Sequence, residues 1–245
     1  MVAYDGTNYH GWQYQPNVET IEGKLNKVLS ELTGETIEVI GASRTDAGVH
    51  SKGNLAVFDT ESTIPATSFK GALNGKLPWD IRINDSYEVS EDFHPRHIDT
   101  RKTYCYQIYH GDVLPPHERL YNFHIYGPID KEAMQEAAKC LIGEHDFASF
   151  CAAGAQVDST IRTIYDCHVE FDAVNNQDEV IRIYVTGSGF LYNMVRIIAG
   201  TLLDVARGRT KPSCMNEIIE SCDRSKAGPT LPAMGLFLDN YTIQN

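Results

Sequence analysis

The chain has 245 residues, of which 42% are hydrophobic and 22% charged, which is typical of a folded globular protein and excludes a disordered or fibrous one. No apolar run approaches the roughly 18 residues that a bilayer-spanning helix needs, so the sequence predicts a soluble protein with no membrane contact. Thirty-three acidic residues against 21 Lys and Arg give a net charge of −12. That balance argues against a polyanionic partner unless cationic side chains cluster locally.

Six cysteines are spread along the chain without a Cys-x-x-Cys pair or a dense disulfide framework. That spacing favours reduced thiols in a cytoplasmic protein over a secreted scaffold or a structural zinc site. We therefore expect no metal centre and a cytoplasmic location.

The first half of the chain is predicted to alternate strands and helices. Apolar residues recur on one helical face from Ile21 to Leu32, and Gly34 follows where a left-handed C-cap is favoured. The other elements predicted here are strands at 36–40, 54–60 and 81–89, a short helix at 68–73 and a polar loop at 41–53.

The second half begins after a polar stretch at 90–100. Asp130 is placed to cap a helix that Gly143 ends. The other elements predicted here are strands at 103–109, 163–171 and 180–186, a long helix at 190–206 and a helix opened by Pro212. We expect two mixed α/β halves that meet near 95–100.

The densest polar cluster of the sequence is the segment 43–50, in the predicted loop between two strands. Arg44 would keep the nearby carboxylate of Asp46 ionised, and an ionised carboxylate is a competent nucleophile or general base for chemistry at the anomeric carbon of a sugar. Gly48 permits a sharp turn just after the acid. The alternative is an Asx turn, in which Asp46 only bonds its own backbone, and composition alone favours that turn.

Aromatic and cationic side chains come close together early in the second half. Tyr104 and Tyr106 share one face of a predicted strand beside the cationic group at 96–102, and rings beside cations suit an unstacked RNA base. The alternative is a tyrosine-rich sheet face packed under a helix, which is favoured for Tyr106. Arg196 lies within an otherwise apolar helix, so it must reach a carboxylate, for which Asp46 is suitable, or extend to solvent.

Seven groups of short motifs are spread over the chain. In one-letter code they are YDGT (4–7) with GWQ (11–13), RTDAGVH (44–50), DFHPR (92–96), KTYCY (102–106), HDFASF (145–150), GFLYNMVR (189–196) and MGLFL (234–238). In this order they resemble the tRNA pseudouridine synthase A (TruA) family. The resemblance covers essentially the whole chain, and the RTDAGVH motif is highly specific.

The resemblance implies an isomerase that converts uridine to pseudouridine at positions 38, 39 and 40 of the tRNA anticodon stem-loop. The uracil–ribose C–N bond breaks, the base turns, and C5 joins C1′, so neither a cofactor nor a metal is required. Asp46 matches the catalytic aspartate of the family. The resemblance therefore favours a catalytic role for Asp46 over the Asx turn that composition alone favours. Whether this residue attacks C1′, adds to C6 or removes a ribose proton is left open, but each route needs an ionised carboxylate, which Arg196 can maintain.

Further site residues follow from the same match. Tyr104 corresponds to the tyrosine that stacks on the target base, and Leu236 to an apolar wall of the pocket. Arg44 corresponds to a residue associated with flipping the nucleotide out of its stem, which must be unstacked first. The RNA-binding segment that the resemblance implies consists of Phe93, His94, Arg96 and His97.

The fold that the resemblance implies is α+β, with two ferredoxin-like α/β halves that form one continuous, mostly antiparallel sheet around a central catalytic cleft. We expect residues 1–97 to carry the catalytic loop, and residues 98–245 to complete the cleft and a dimer interface. The resemblance also implies a homodimer in which each tRNA spans both subunits. Ser43 stands where the family usually has glycine, so the loop can bend differently.

Two alternatives remain at this point. One is the same chemistry on another tRNA position or another structured RNA. The other is a non-catalytic tRNA-binding or folding factor, against which the intact Arg44 and Asp46 argue, because a carboxylate hinders the binding of a polyanion.

Overall fold

The computed structural model describes residues 1–96, 98–155 and 157–243. The chain divides into two compact units, Met1–Thr100 together with the C-terminal segment from Phe237, and Arg101–Leu236. The sequence analysis placed the C-terminal segment with the second half. It lies in the first unit because Phe237 and Leu238 pair in parallel with His50 and Ser51.

The secondary structure alternates short strands with helices of modest length. In chain order, the elements are β1 Val2–Tyr4, α1 Ile21–Thr33, β2 Ile40–Gly41, β3 His50–Asn54, β4 Ala56–Val57, α2 Phe69–Asn74, β5 Ile81–Ile83, β6 Thr100–His110, β7 Phe123–Ile125, α3 Lys131–Lys139, β8 Gly143–Asp146, β9 Ile161–Ala173, β10 Glu179–Gly187, α4 Met194–Ala206, α5 Met215–Ser221 and β11 Leu236–Ile243.

The sheet of the first unit has the strand order β5-β1-β3-β11. Pairing is antiparallel between β5 and β1 and between β1 and β3, whereas β3 and β11 run parallel. Strands β2 and β4 form a separate antiparallel pair. The core under this sheet contains residues that are at most 3% exposed, among them Trp12, Ile21, Leu25, Leu29, Leu73 and Ile81.

Helix α1 confirms the prediction from its apolar stripe. The Thr20 hydroxyl accepts a hydrogen bond from the backbone N–H of Gly23 at 3.2 Å, which caps the first turn. Gly34 ends the helix in the left-handed region, with a φ of 79°, and its N–H bonds the carbonyl of Ser30. The short helix predicted at 68–73 is confirmed as α2.

Three strand predictions for this unit are wrong in extent. Of the segment 36–40, only Ile40 is in a strand, because the N–H groups of Ile37 and Val39 donate to side chains of α1 instead, at 2.9 and 2.8 Å. Strand β3 begins at His50, inside the segment predicted to be a loop. The strand predicted at 81–89 is limited to the three residues of β5.

The second unit is built on an antiparallel order β6-β10-β9-β8, with β7 parallel to β6. The three strands predicted here are confirmed and are longer than expected. Asp130 caps α3 through a 2.9 Å hydrogen bond from the Ala133 N–H, as predicted. Helix α4 starts at Met194 rather than at residue 190, because Asn193 has a φ of 59° and interrupts the helix there.

Helix α3 packs against α4 and β9 and closes the core of this unit. Its fully buried residues include Tyr106, Ile108, Met134, Leu141, Ile183 and Ile198. The predicted α+β class with mostly antiparallel sheet pairing is confirmed. Within the described ranges, no helix is both long and apolar enough to cross a membrane.

Candidate active site

Asp46 opens a tight turn in the loop between β2 and β3. The N–H of Val49 donates to the main-chain carbonyl of Asp46 at 3.1 Å and closes the turn. Gly48 occupies the third position with a φ of 77°, a conformation that favours glycine. The side chain of Asp46 is half-buried, so the turn presents a partly desolvated carboxylate.

The residues before Asp46 are fixed by side chains of neighbouring strands. The Asn54 amide accepts from the N–H of Ser43 at 3.2 Å and donates to its carbonyl at 2.9 Å. The Thr45 hydroxyl lies 2.7 Å from the hydroxyl of Tyr4. Ser43 has a negative φ, so serine occupies this position without the backbone strain that would require glycine.

Two motif glycines allow the N-terminal loop to pack closely against the turn that contains Asp46. A Cβ atom on Gly6 would overlap the carbonyl oxygen of Val49, and one on Gly11 would lie 2.7 Å from the carbonyl oxygen of Thr45. Gly11 also has a φ of 89°. The YDGT and GWQ motifs therefore support the RTDAGVH motif from both sides, which explains why glycine is required in each.

The predicted RNA-binding segment is attached to the start of the same loop. The Arg96 Nε atom donates to the carbonyl of Gly41 at 2.9 Å. Phe93 packs on a small apolar cluster with Ala42 and Tyr241, and is therefore partly structural. The His94 ring accepts from the N–H of Arg96 at 3.2 Å. His97, the fourth predicted member, lies outside the described residues.

Arg44 and Arg96 form a pair of neighbouring cations, and Arg44 lies two residues before Asp46 in the loop. Burial and the charge of Arg44 lower the pKa of Arg96, while the charge of Glu22 opposes that shift. Arg44 is exposed, and its guanidinium has no hydrogen bond or ion pair with any described residue. The guanidinium of Arg44, next to that of Arg96, is therefore suited to bind a phosphate group.

Glu22 is a buried carboxylate at the start of α1 that the sequence analysis missed. It is 6% exposed and accepts hydrogen bonds from the N–H of Tyr14 and the side-chain amide of Gln13. It thus holds the segment after Trp12 and places a negative charge near Arg96. Position 22 lies at the edge of the buried face of the helix, where a single glutamate gives no pattern that marks it as buried.

In the second unit, Tyr104 and Tyr106 differ in their surroundings. Tyr104 is 8% exposed and makes an edge-to-face contact with Phe190 at 5.0 Å between ring centroids. Tyr106 is fully buried and donates to the carbonyl of Pro232 at 2.7 Å, and burial raises the pKa of its hydroxyl. The packed-sheet interpretation of Tyr106 is thereby confirmed.

Arg196 links the first turn of α4 to the segment that leads into β11. Its Nε atom donates to the carbonyl of Leu231 at 2.7 Å, and its Nη1 atom donates to the side chain of Asn193. Gly235 then approaches Tyr106 so closely that a Cβ atom would lie 2.9 Å from its ring. These contacts hold Leu236, which is 6% exposed, at the start of β11.

A family model described as tRNA pseudouridine synthase matches residues 1–97 and 137–242. A tRNA pseudouridine synthase A 2 of Clostridium perfringens is 48% identical over 238 residues, which is 97% of this chain and 96% of that protein. The tRNA pseudouridine synthases A of Caldicellulosiruptor saccharolyticus and Acetivibrio thermocellus are 48% and 44% identical, over 97% of this chain and 95% and 96% of theirs. The chain belongs to the tRNA pseudouridine synthase family.

Membership in this family confirms the predicted reaction class, the isomerisation of uridine to pseudouridine. The alternative of a non-catalytic factor is not favoured. Asp46, Arg196 and Leu236 lie within the matched residues, whereas Tyr104 lies in the interval 98–136 between the two matched segments. Within the described ranges, no group of three or more His, Cys, Asp or Glu side chains is arranged to hold a metal ion.

Proposed function

We propose that this pseudouridine synthase acts on uridines 38, 39 and 40 of the tRNA anticodon stem-loop, with Asp46 as its catalytic residue. The observation that supports the proposal is the placement of Asp46, half-buried on a glycine-dependent turn two residues after Arg44, whose charge also acts on Arg96. A partly dehydrated carboxylate is a strong nucleophile or base, and the cations favour its ionised form.

The reaction breaks the bond between N1 of uracil and C1′ of the ribose and forms one between C5 and C1′. The proton on C5 is released, and N1 gains a proton, so atoms and charge balance without an oxidant or a reductant. Asp46 acts at C1′, at C6 or on a ribose proton, and each route needs the same ionised group. The family resemblance supports Arg196 as the residue that supplies the compensating charge.

The family resemblance supports further residues that hold the target base and its strand. Tyr104 stacks on the flipped uracil, for which its ring is braced by Phe190. Leu236 forms the apolar wall. Arg44 occupies the space that the flipped nucleotide leaves, which offsets part of the unstacking cost.

The RNA backbone is bound next to the catalytic loop. Arg96 contributes its remaining guanidinium N–H groups, since among the described residues only its Nε atom makes a hydrogen bond. The other members of this RNA-binding segment are Phe93, His94 and His97.

The enzyme acts as a homodimer in the cytoplasm, with each tRNA spanning both subunits. The family resemblance supports the dimer, and six free thiols support a reducing compartment. Sedimentation equilibrium at micromolar protein tests the dimer, and a mass near the 27.4 kDa of one chain would contradict it.

Tritium release from tRNA labelled at C5 of uridine tests the chemistry directly, because the new C–C bond expels the C5 hydrogen. Wild-type protein should release tritium, while Asp46→Asn should release none and still bind tRNA. Near-normal release by Asp46→Asn would remove this residue from the mechanism. Mapping of pseudouridine in the product tests the positions, and modification outside 38–40 would overturn that part.

Arg196→Lys separates charge from geometry at the proposed counter-ion. Lysine keeps the charge but loses the fork that reaches Leu231 and Asn193. Turnover should fall at least tenfold with little change in tRNA affinity. An unchanged kcat would exclude Arg196 from a role at Asp46.

A further inference from the structure

Trp79 is the most exposed large hydrophobic side chain among the described residues. It is 92% exposed, whereas the only other tryptophan, Trp12, is 0% exposed. An indole ring that is exposed on the surface of a folded protein does not gain the free energy of burial. A binding partner that covers the ring is therefore the first explanation for its exposure.

Arg82 is fixed over the ring of Trp79. Its guanidinium carbon lies 4.4 Å from the ring centroid, within the range of a cation–π contact. Its Nη1 atom donates to three main-chain carbonyl oxygens, those of Leu77, Pro78 and Ile81, at 3.3, 2.7 and 2.8 Å. The cation and the ring are therefore preorganised, while most of the indole stays open.

The turn that carries Trp79 is joined to the catalytic loop by hydrogen bonds. The Asp80 carboxylate accepts from the hydroxyl of Tyr9 at 2.7 Å, and its carbonyl accepts from the N–H of Asp5. The carbonyl of Tyr9 in turn accepts from the N–H of Gly48, in the turn after Asp46. Trp79 thus lies on the same hydrogen-bonded part of the first unit as the catalytic carboxylate.

The surroundings of Trp79 favour RNA over an apolar protein surface. Lys76, three residues before Trp79, and the adjacent Pro78 are exposed, and Arg82 adds a second cation. The nearest acid in sequence, Asp80, is already engaged by Tyr9. A flat, exposed ring beside a fixed cation matches a nucleotide, because the base stacks and the phosphate is attracted.

We infer that Trp79 and Arg82 form a second nucleotide-stacking site, which binds an unstacked base of the tRNA other than the target uridine. The site adds affinity for the substrate and takes no part in bond making. It also places positive charge and an aromatic ring at a defined point of a protein whose net charge is −12.

Tryptophan fluorescence reports on this site directly, because the exposed and the buried tryptophan emit differently. Unmodified tRNA is titrated into Asp46→Asn protein, which on the proposed function binds the RNA without converting it. Stacking should quench the red-shifted emission of Trp79 and shield it from acrylamide. Trp79→Phe should abolish that change while the RNA still binds.

Kinetics of tritium release give the second measurement. Trp79→Ala should raise KM about fivefold or more with kcat unchanged, and Trp79→Phe should restore most of the affinity. Tyr126→Ala, which removes a 72% exposed ring from the second unit, is the matched control and should leave KM unchanged. A KM for Trp79→Ala equal to that of wild type would overturn the proposal. Trp79 emission that stays unchanged at saturating tRNA would also overturn the proposal. So would emission that shifts with protein concentration in the absence of RNA, because that shift would show a second copy of the chain bound at Trp79.

Discussion

The side-chain amide of Asn54 pairs with both backbone polar groups of Ser43, at 3.2 and 2.9 Å. Asn54 is fully buried at the end of β3, and Ser43 lies three residues before the catalytic Asp46 of the proposed mechanism. The Asn54 side chain thus makes the two hydrogen bonds with Ser43 that a neighbouring strand would otherwise make. It also fixes the path of the backbone that leads to Asp46.

Asn54→Ala leaves a buried N–H and a buried carbonyl of Ser43 without partners. We expect a loss of about 2–4 kcal/mol of unfolding free energy and a fall in kcat of at least tenfold, because the loop relaxes. Urea denaturation and tritium release measure the two effects. Asn84→Ala removes an exposed asparagine that also bonds a backbone carbonyl, and should change both much less. Equal effects of the two variants would show that the Asn54 clamp is unimportant.

The Ser43 hydroxyl is buried without a hydrogen-bond partner among the described residues. Ser43→Ala removes that unsatisfied group, so it should raise the unfolding free energy by about 1 kcal/mol. Ser51 is equally buried, but its hydroxyl accepts from the N–H of Gly53, so Ser51→Ala should be destabilising. Thermal melts of the two variants test the contrast, and a lower Tm for Ser43→Ala would contradict it.

The secondary structure was predictable where its cause is local. Helix α1 carries its stripe and both of its caps within fifteen residues, so its ends were placed correctly. Strand β3 was not, because His50–Asn54 contains mostly polar and small residues, and the segment becomes a strand only by pairing with β1 and β11. The start of α4 was missed although Asn193 carries a signal, because asparagine adopts a left-handed φ more readily than most residues. The apolar pattern that continues back to Phe190 outweighed that signal.

The residues of the candidate site were also predictable only where a local sequence pattern marks them. Asp46 and Arg44 were found through a contiguous and specific motif. Asn54 and Glu22 were missed because each acts on residues eight or more positions away, and a lone asparagine or glutamate carries no pattern of its own. The structure was needed to show that Phe93 is packed on the loop.

Glu179 makes the stability of the second unit dependent on acid. Burial opposes its ionisation, but hydrogen bonds and charge from Lys131 and His110 together lower the pKa of Glu179 below its ordinary value of 4.5. A lowered folded-state pKa stabilises the protein above that ordinary value, and the contribution is lost as the pH falls through the folded-state pKa.

Glu179→Gln should therefore lower the Tm at pH 7, and the difference from wild type should shrink as the pH is lowered below about 4.5. Melting curves of both proteins from pH 3 to pH 7 measure this difference in Tm. Glu136→Gln removes an exposed carboxylate from α3 and controls for the change in net charge. A Tm difference that stays constant across the range would rule out the linkage.

Arg44 should contribute to tRNA binding through its charge, since its guanidinium is exposed and is not used by the described part of the protein. Each phosphate contact releases condensed counterions, so Arg44→Ala should reduce the slope of log K against log salt by roughly 0.7–0.9. Arg209 is also exposed but already bonds Asp204 at 3.0 Å, so Arg209→Ala should leave the slope unchanged. Filter binding of Asp46→Asn protein between 50 and about 200 mM salt gives both slopes. If the two arginine variants behave alike, the binding depends on overall charge and not on the cation beside the catalytic loop.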